Sequence, residues 1–264
     1  MIQDIGEHTF DNQYHPCPPD RESYALYYED HAALVRKYPD RIEFPKFRDI
    51  ERLNEDIYED AVYLFSIDGE RYYLVEEINR ERQSHFTMEN TEIFRYAEPQ
   101  YLAFAGITGY QLHNWYQSRR FCGKCGRRMK KDSKERMLYC ESCHNMEFPK
   151  ICPAVIIGVT DGDKILMSKY AGRTYKKYAL LAGFTEIGET LEETVQREVM
   201  EEVGLKVKNI RYYKSQPWSF TDTLLMGFYC DLDGGAAITL DREELAMAES
   251  VSYTHLTLPT ILRV

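Results

Sequence analysis

The chain has 264 residues, enough for more than one domain at the usual ~100–200 residues each. Its hydrophobic fraction of 44% is ordinary for a globular protein, and no apolar run approaches the roughly 20 residues that span a bilayer. A formal net charge of −10 argues against general affinity for nucleic acid. Met1–Phe10 is acidic without an apolar stretch, so no signal peptide is read there. The seven cysteines are odd in number and partly scattered (Cys17, Cys152, Cys230), which fits a reducing compartment. The chain therefore reads as cytoplasmic, with no membrane partner.

Residues 1–115 read as an acidic, tyrosine-rich α+β domain without a catalytic motif. Within it, Ala61–Ile67 and Arg71–Ile78 are strand-like runs joined by Asp68-Gly69, a hairpin signal. Residues 101–120 read as a helix leading into a cysteine segment. Residues 116–149 form that segment, and residues 111–150 hold 10 Lys/Arg against 4 Asp/Glu. From residue 150 the pattern changes. Ala154–Thr160 is a continuous apolar run, read as a buried strand, and Asp161-Gly162-Asp163 turns the chain into a second strand over Lys164–Ser168.

Cys122-x-x-Cys125 and Cys140-x-x-Cys143 are separated by fourteen residues. Two such knuckles can aim four thiolates at one tetrahedral ion, so they are read as a zinc ribbon. Gly123 and Gly126 suit the turns. With all four positions filled by sulfur, the zinc is expected to be structural. Between the knuckles lie Lys124, Arg127, Arg128, Lys130, Lys131, Lys134 and Arg136, read first as a solvated hairpin tip and second as a polyphosphate or RNA contact.

The most informative stretch runs from Gly183 to Leu205. Thr190 and Glu193 form a capping box that starts a helix near Leu191, and Gly204 suits its C′ position. Leu191, Val195, Val199 and Val203 make one apolar stripe. Glu198, Glu201 and Glu202 share a face, and Glu198 and Glu202 fall inside or beside that stripe. Crowded carboxylates at a core edge need compensation. A hard divalent cation would supply it; a solvated acidic face paired with Arg197 and Lys206 is the competing reading.

The same stretch matches G-x₅-E-x₇-R-E-U-x-E-E-x-G-U at Gly183, Glu189, Arg197, Glu198, Val199, Glu201, Glu202, Gly204 and Leu205. It resembles the Nudix box. The resemblance implies a Nudix α/β/α sandwich with a mixed sheet and a catalytic Mg²⁺ or Mn²⁺. It places metal on Glu198, Glu201, Glu202 and the backbone of Ala182, with Arg197 orienting Glu189. Downstream, Ser215-Gln216-Pro217-Trp218-Ser219-Phe220-Thr221-Asp222-Thr223 resembles the S-Q-P-W-P-F-P-x-S signature of the NADH pyrophosphatase branch. Ser219 and Thr221 stand for prolines and Thr223 for a serine. By that resemblance, Gln216 to Thr223 and Phe148 would contact substrate, and Glu244 would add a metal ligand.

The activity so implied is hydrolysis of the diphosphate of NAD(H) to NMN(H) and AMP, extending to NAD caps on RNA, by a homodimer. Two rival readings are a broader hydrolase of ADP-ribose or dinucleoside polyphosphates and a non-catalytic nucleotide or RNA-binding module. The Nudix domain is placed at 150–249. Residues 250–264 contain no acid and no helical period, whereas relatives would continue with an aromatic pair and a helix. That tail reads as a non-native segment.

Overall fold

The computed structural model describes residues 1–52, 56–79, 85–172 and 177–252. They form two compact units. One comprises Ile2–Lys150 together with Ser219–Thr221, and the other Ile151–Trp218 together with the chain from Asp222. The segments read separately as 1–115 and 116–149 thus pack as one body.

In the N-terminal unit, β1 (Val62–Ile67) and β2 (Glu70–Leu74) pair antiparallel, as the Asp68-Gly69 signal required. Asp68 and Gly69 hold φ of 53° and 80°, the left-handed pair that a tight hairpin turn needs. The second strand stops at Leu74 rather than Ile78, and the Val75 N–H beyond it donates to the Leu26 carbonyl at 2.9 Å. Helix α1 (Gln100–Ser118) backs this unit, burying Phe104, Ile107, Trp115 and Tyr116. Its Gly106 is a packing requirement. A Cβ there would lie 2.5 Å from the buried Phe94 ring and 2.8 Å from Phe44. Gly106→Ala is expected to destabilise the unit by about 1–3 kcal/mol through overpacking, read as a lower urea midpoint.

The ribbon adds a small sheet of Lys130–Lys131, Leu138–Tyr139 and Met146–Glu147. Cys122, Met129, Leu138 and Cys140 join the same apolar cluster as Trp115 and Tyr116, so the ribbon has no separate core.

The C-terminal unit is built on a mixed sheet. Its strands are β3 (Cys152–Asp161), β4 (Lys164–Tyr170), β5 (Leu181–Phe184), β6 (Val207–Trp218), β7 (Thr223–Leu232) and β8 (Leu245–Ser252). The order is β6-β7-β3-β4-β8, with β5 also on β3; the β3–β7 pair is parallel and the others antiparallel. Gly162, at φ 59°, makes the expected β3–β4 turn. Helix α2 (Leu191–Val203) packs on this sheet through Val195, Val199 and Val203, each fully buried. Each such burial is worth about 1.5–3 kcal/mol. The mixed sheet agrees with the sequence reading, but among the described residues of this unit α2 is the one helix, so helical layers on both faces are not seen. The boundary drawn between 249 and 250 falls inside β8, whose Ser250, Val251 and Ser252 pair with Leu166, Ile165 and Lys164. The rest of that tail, from 253, lies outside the described residues.

Candidate active site and zinc site

Helix α2 begins and ends where its sequence dictates. Thr190 Oγ1 accepts from the Glu193 N–H at 3.2 Å, and the Glu193 carboxylate accepts from the Thr190 N–H at 2.7 Å. Gly204 closes the helix at φ 68°. Ahead of it, Gly188 at φ 94° lets the loop after β5 bring Glu189 back onto the helix.

Arg197 is the hub of the site. Its Nε and Nη2 donate to the two Glu189 oxygens at 2.6 and 2.9 Å, a bidentate pair. Its Nη1 donates to Glu198 Oε1 at 2.7 Å and Glu201 Oε2 at 3.0 Å, and its Nη2 also to the Phe184 carbonyl at 2.9 Å. Glu189 further accepts from Thr194 Oγ1 at 3.0 Å and the Glu186 N–H at 3.1 Å. Hydrogen bonds from Arg197, then the Glu186 N–H, hold the Glu189 carboxyl down to about 2. Arg197 itself is held firmly protonated by Glu189.

Glu198 and Glu202 are nearly buried, at 9% and 3% exposure, whereas the Glu201 side chain is 59% exposed. The three therefore do not present equally: successive positions at 100° put Glu201 on the solvent flank. Burial raises the Glu198 carboxyl, opposed by Arg197, and the charges of Glu201 and Glu244 raise it further. That coupling sets Glu244 within electrostatic range of the box. Ala182 lies on β5, paired with Ile156.

Gly183 makes the cradle. A Cβ there would sit 1.9 Å from the Glu198 carboxyl carbon and 2.1 Å from both its oxygens. Any side chain at 183 would expel Glu198 from its place. Gly183→Ala is expected to cut turnover by about 10²-fold or more through misplacement of that carboxylate, with the helix content by circular dichroism unchanged. Oxygen donors, burial and incomplete charge compensation fit a hard divalent ion, which the residues Glu198, Glu201, Glu202 and Glu244 could hold.

Sequence reading missed three contributors: Thr194, the Phe184 carbonyl and the cradling role of Gly183. Thr194 sits one helical turn after the cap Thr190, a weak signal; the other two depend on β5 lying beside α2.

The Gln216–Thr223 segment joins two paired strands through a turn at residues 219–222. Ser215 to Trp218 end β6, Thr223 begins β7, and Trp218 pairs with Thr223 across a turn closed by Asp222 at φ 56°. Pro217 is tolerated because β6 is the edge strand. Gln216, Ser219 and Thr223 are buried, and Pro217, Trp218 and Asp222 half-buried, while Thr221 is exposed. Ser219–Thr221 belongs to the other compact unit, where the Arg95 guanidinium lies 4.2 Å over the Phe220 ring. Phe148, also in that unit, is 55% exposed.

The four ribbon sulfurs lie within 4.8 Å of one another, with Cys122–Cys143 at 3.5 Å and Cys125–Cys140 at 3.4 Å. A disulfide would need about 2.05 Å. A tetrahedron at Zn–S of about 2.3 Å has edges near 3.8 Å, so the quartet fits zinc. Gly126 turns the first knuckle at φ 73°; His144, at φ 57°, does the same in the second, where no glycine stands. The Cys143 and Ser142 N–H groups bring the Cys140 thiol down to about 6, favouring the thiolate that metal requires.

Comparison with known proteins gives two domain matches. The NUDIX domain matches residues 150–263, and the NADH pyrophosphatase zinc ribbon domain matches residues 117–148. An NAD-capped RNA hydrolase NudC of Photorhabdus laumondii is 43% identical over 150 residues, 57% of this chain and 58% of that protein. The protein of the same name from Enterobacter sp. (strain 638) is 43% identical over the same extent. The chain thus aligns with little more than half the length of these relatives. A crystal structure of a Nudix hydrolase from Nitrosomonas europaea has a TM-score of 0.46 at 24% identity, covering 54% of this chain and 82% of that one. The chain thus contains a Nudix domain and, ahead of it, an NADH pyrophosphatase zinc ribbon domain.

Proposed function

We propose that this protein hydrolyses the diphosphate of NAD(H) to NMN(H) and AMP, and removes NAD caps from RNA 5′ ends. The observation that carries the reading is the Arg197 hub: one guanidinium fixes Glu189, Glu198 and Glu201 while Glu198 and Glu202 sit nearly buried beside it. Such an arrangement concentrates negative charge where water is scarce, which suits a divalent cation and a diphosphate. Glu198, Glu201, Glu202, Glu244 and the Ala182 carbonyl would hold Mg²⁺ or Mn²⁺. The ion supplies neutralisation of the diphosphate charge and a lowered pKa for water.

The chain's own residues do the rest. Glu189 locks Arg197, and Arg197 holds Glu198 and Glu201 in register. By resemblance to the signature, Gln216, Pro217, Trp218, Ser219, Phe220, Thr221, Asp222, Thr223 and Phe148 would be the substrate contacts. Support for the substrate comes from the NAD-capped RNA hydrolases that are 43% identical to this chain over 150 residues. The protein works in the cytoplasm as a homodimer; light scattering tests the latter.

A second reading is favoured by Ser219, Thr221 and Thr223, which replace two prolines and a serine of the signature: a broader diphosphate hydrolase acting on ADP-ribose. Incubating zinc-loaded protein with NADH and Mg²⁺ or Mn²⁺ is expected to yield AMP and NMNH, and none with EDTA. Faster turnover of ADP-ribose than of NADH supports the second reading, and no product from either overturns both.

A further inference from the structure

Glu244 is an exposed side chain in the turn that precedes β8, yet the metal site proposed above needs it at one place beside the box glutamates. A ligand on a free loop has to be ordered at each binding event, and that ordering weakens affinity. The backbone around Glu244 removes this cost.

Helix α2 ends in carbonyls that its own turns cannot satisfy. Two of them are taken up by the segment before Glu244: the Thr239 N–H donates to the Val203 carbonyl and the Asp241 N–H to the Glu202 carbonyl, both at 2.9 Å. Ile238 and Leu240 pack on the apolar cluster that includes Val199 and Val203. The approach is close, since a Cβ on Gly204 would lie 2.9 Å from the Thr239 Cβ. The segment is therefore seated on the end of α2 by main-chain bonds, one of them to Glu202 itself.

From that seat a single turn leads to Glu244. The Asp241 carbonyl accepts from the Leu245 N–H at 2.9 Å, and Asp241 Oδ1 accepts from the Glu243 N–H at 2.8 Å. A side-chain oxygen over the second N–H of a helical turn is an N-cap, and it closes residues 242–244 into one conformation. On the far side, the Glu244 carbonyl accepts from the Ala171 N–H at 2.8 Å, and Leu245, only 1% exposed, opens β8 against Tyr170. The Glu244 backbone is thus held before and after, and its charge lies within electrostatic range of Glu198. Asp241 makes both connections: its N–H binds the helix end, and its carbonyl and carboxylate bind the turn.

We infer that Asp241 is a positioning residue of the metal site: bound to the end of α2 and capping the turn that carries Glu244, it sets where Glu244 stands relative to Glu198 and Glu202. This rests on Glu244 being a metal ligand, as proposed above. The role requires an acceptor oxygen at position 241 and not a charge, because Oδ1 is engaged by the Glu243 N–H.

The test titrates the whole, zinc-loaded chain with Mn²⁺ and reads free Mn²⁺ by electron paramagnetic resonance. Asp241→Ala is expected to weaken Mn²⁺ binding about 5–20-fold, the effect of having to order the freed turn. Asp241→Asn keeps the acceptor and is expected to stay within about twofold of the parent. Glu244→Gln is expected to weaken binding about 10-fold or more. On that background Asp241→Ala should add less than about twofold, since the turn no longer places a ligand. A merely structural cap would instead lower the melting midpoint and add in full on either background. Unchanged zinc content and circular dichroism certify folding; if Asp241→Ala disturbs either, Asp241→Gly replaces it, glycine being the mildest loss of a cap. Parental affinity in Asp241→Ala, an equal loss in Asp241→Asn, or full additivity with Glu244→Gln overturns the inference. Parental affinity in Glu244→Gln overturns it together with the ligand role of Glu244, whereas loss in Glu244→Gln without loss in Asp241→Ala strikes the positioning role alone. Failure of the parent to hydrolyse NADH would strike the proposed reaction alone, since Mn²⁺ binding still reports on the site.

Discussion

Glu198→Gln is expected to lower kcat/KM for NADH by about 10²–10³-fold while leaving the fold intact. Glutamine keeps the volume and the oxygen that accepts from Arg197 Nη1, so the packing of α2 against the sheet is preserved. It removes a charge from a position only 9% exposed, where burial already raises the carboxyl's pKa. The neutral amide therefore relieves a desolvation cost, and the melting midpoint should not fall. What is lost is the anionic oxygen that a divalent ion requires. Turnover measured with affinity for a non-hydrolysable dinucleotide separates the readings. An enzyme loses rate; a binding module retains affinity and has no rate to lose. Turnover within about threefold of the parent would remove Glu198 from the chemistry.

The helix that carries this site was legible because its signals are local. A capping box, a four-residue apolar repeat and a terminal glycine each act within one or two turns, and all appear in the structure at Thr190, Val195–Val203 and Gly204. The near-burial of Glu198 and Glu202 also followed from their angular position. The different exposure of Glu201, the Gly183 cradle and the Phe184 carbonyl did not, because they depend on β5 lying against α2, a contact that no local pattern encodes. The Gln216–Thr223 stretch carries no local strand signal, yet pairing with β7 draws Gln216, Pro217 and Trp218 into strand, and an edge position forgives the missing N–H of Pro217. The cysteine quartet was plain from spacing alone, although the left-handed turn at His144 had no glycine to announce it.

Cys140→Ser is expected to abolish zinc binding and to lower the melting midpoint by about 10 °C or more. Structural zinc contributes about 10–16 kcal/mol in small zinc-finger peptides, where folding and binding are one event. Cys140 is fully buried, and hydroxyl is a poor substitute for a thiolate in an all-sulfur site. The effect should not stop at the ribbon. Cys122, Met129, Leu138 and Cys140 belong to the same apolar cluster as Trp115, Tyr116 and the strands of the N-terminal sheet. Losing the metal frees the knuckles and uncovers that cluster, so the tyrosine-rich half should unfold with the ribbon in one transition. Zinc content by mass spectrometry, thermal melting and tryptophan fluorescence, with Trp115 a reporter inside the shared core, read the three consequences separately. A variant that lost its zinc but kept the parental melt would mean that the ribbon hangs on the N-terminal core without supporting it.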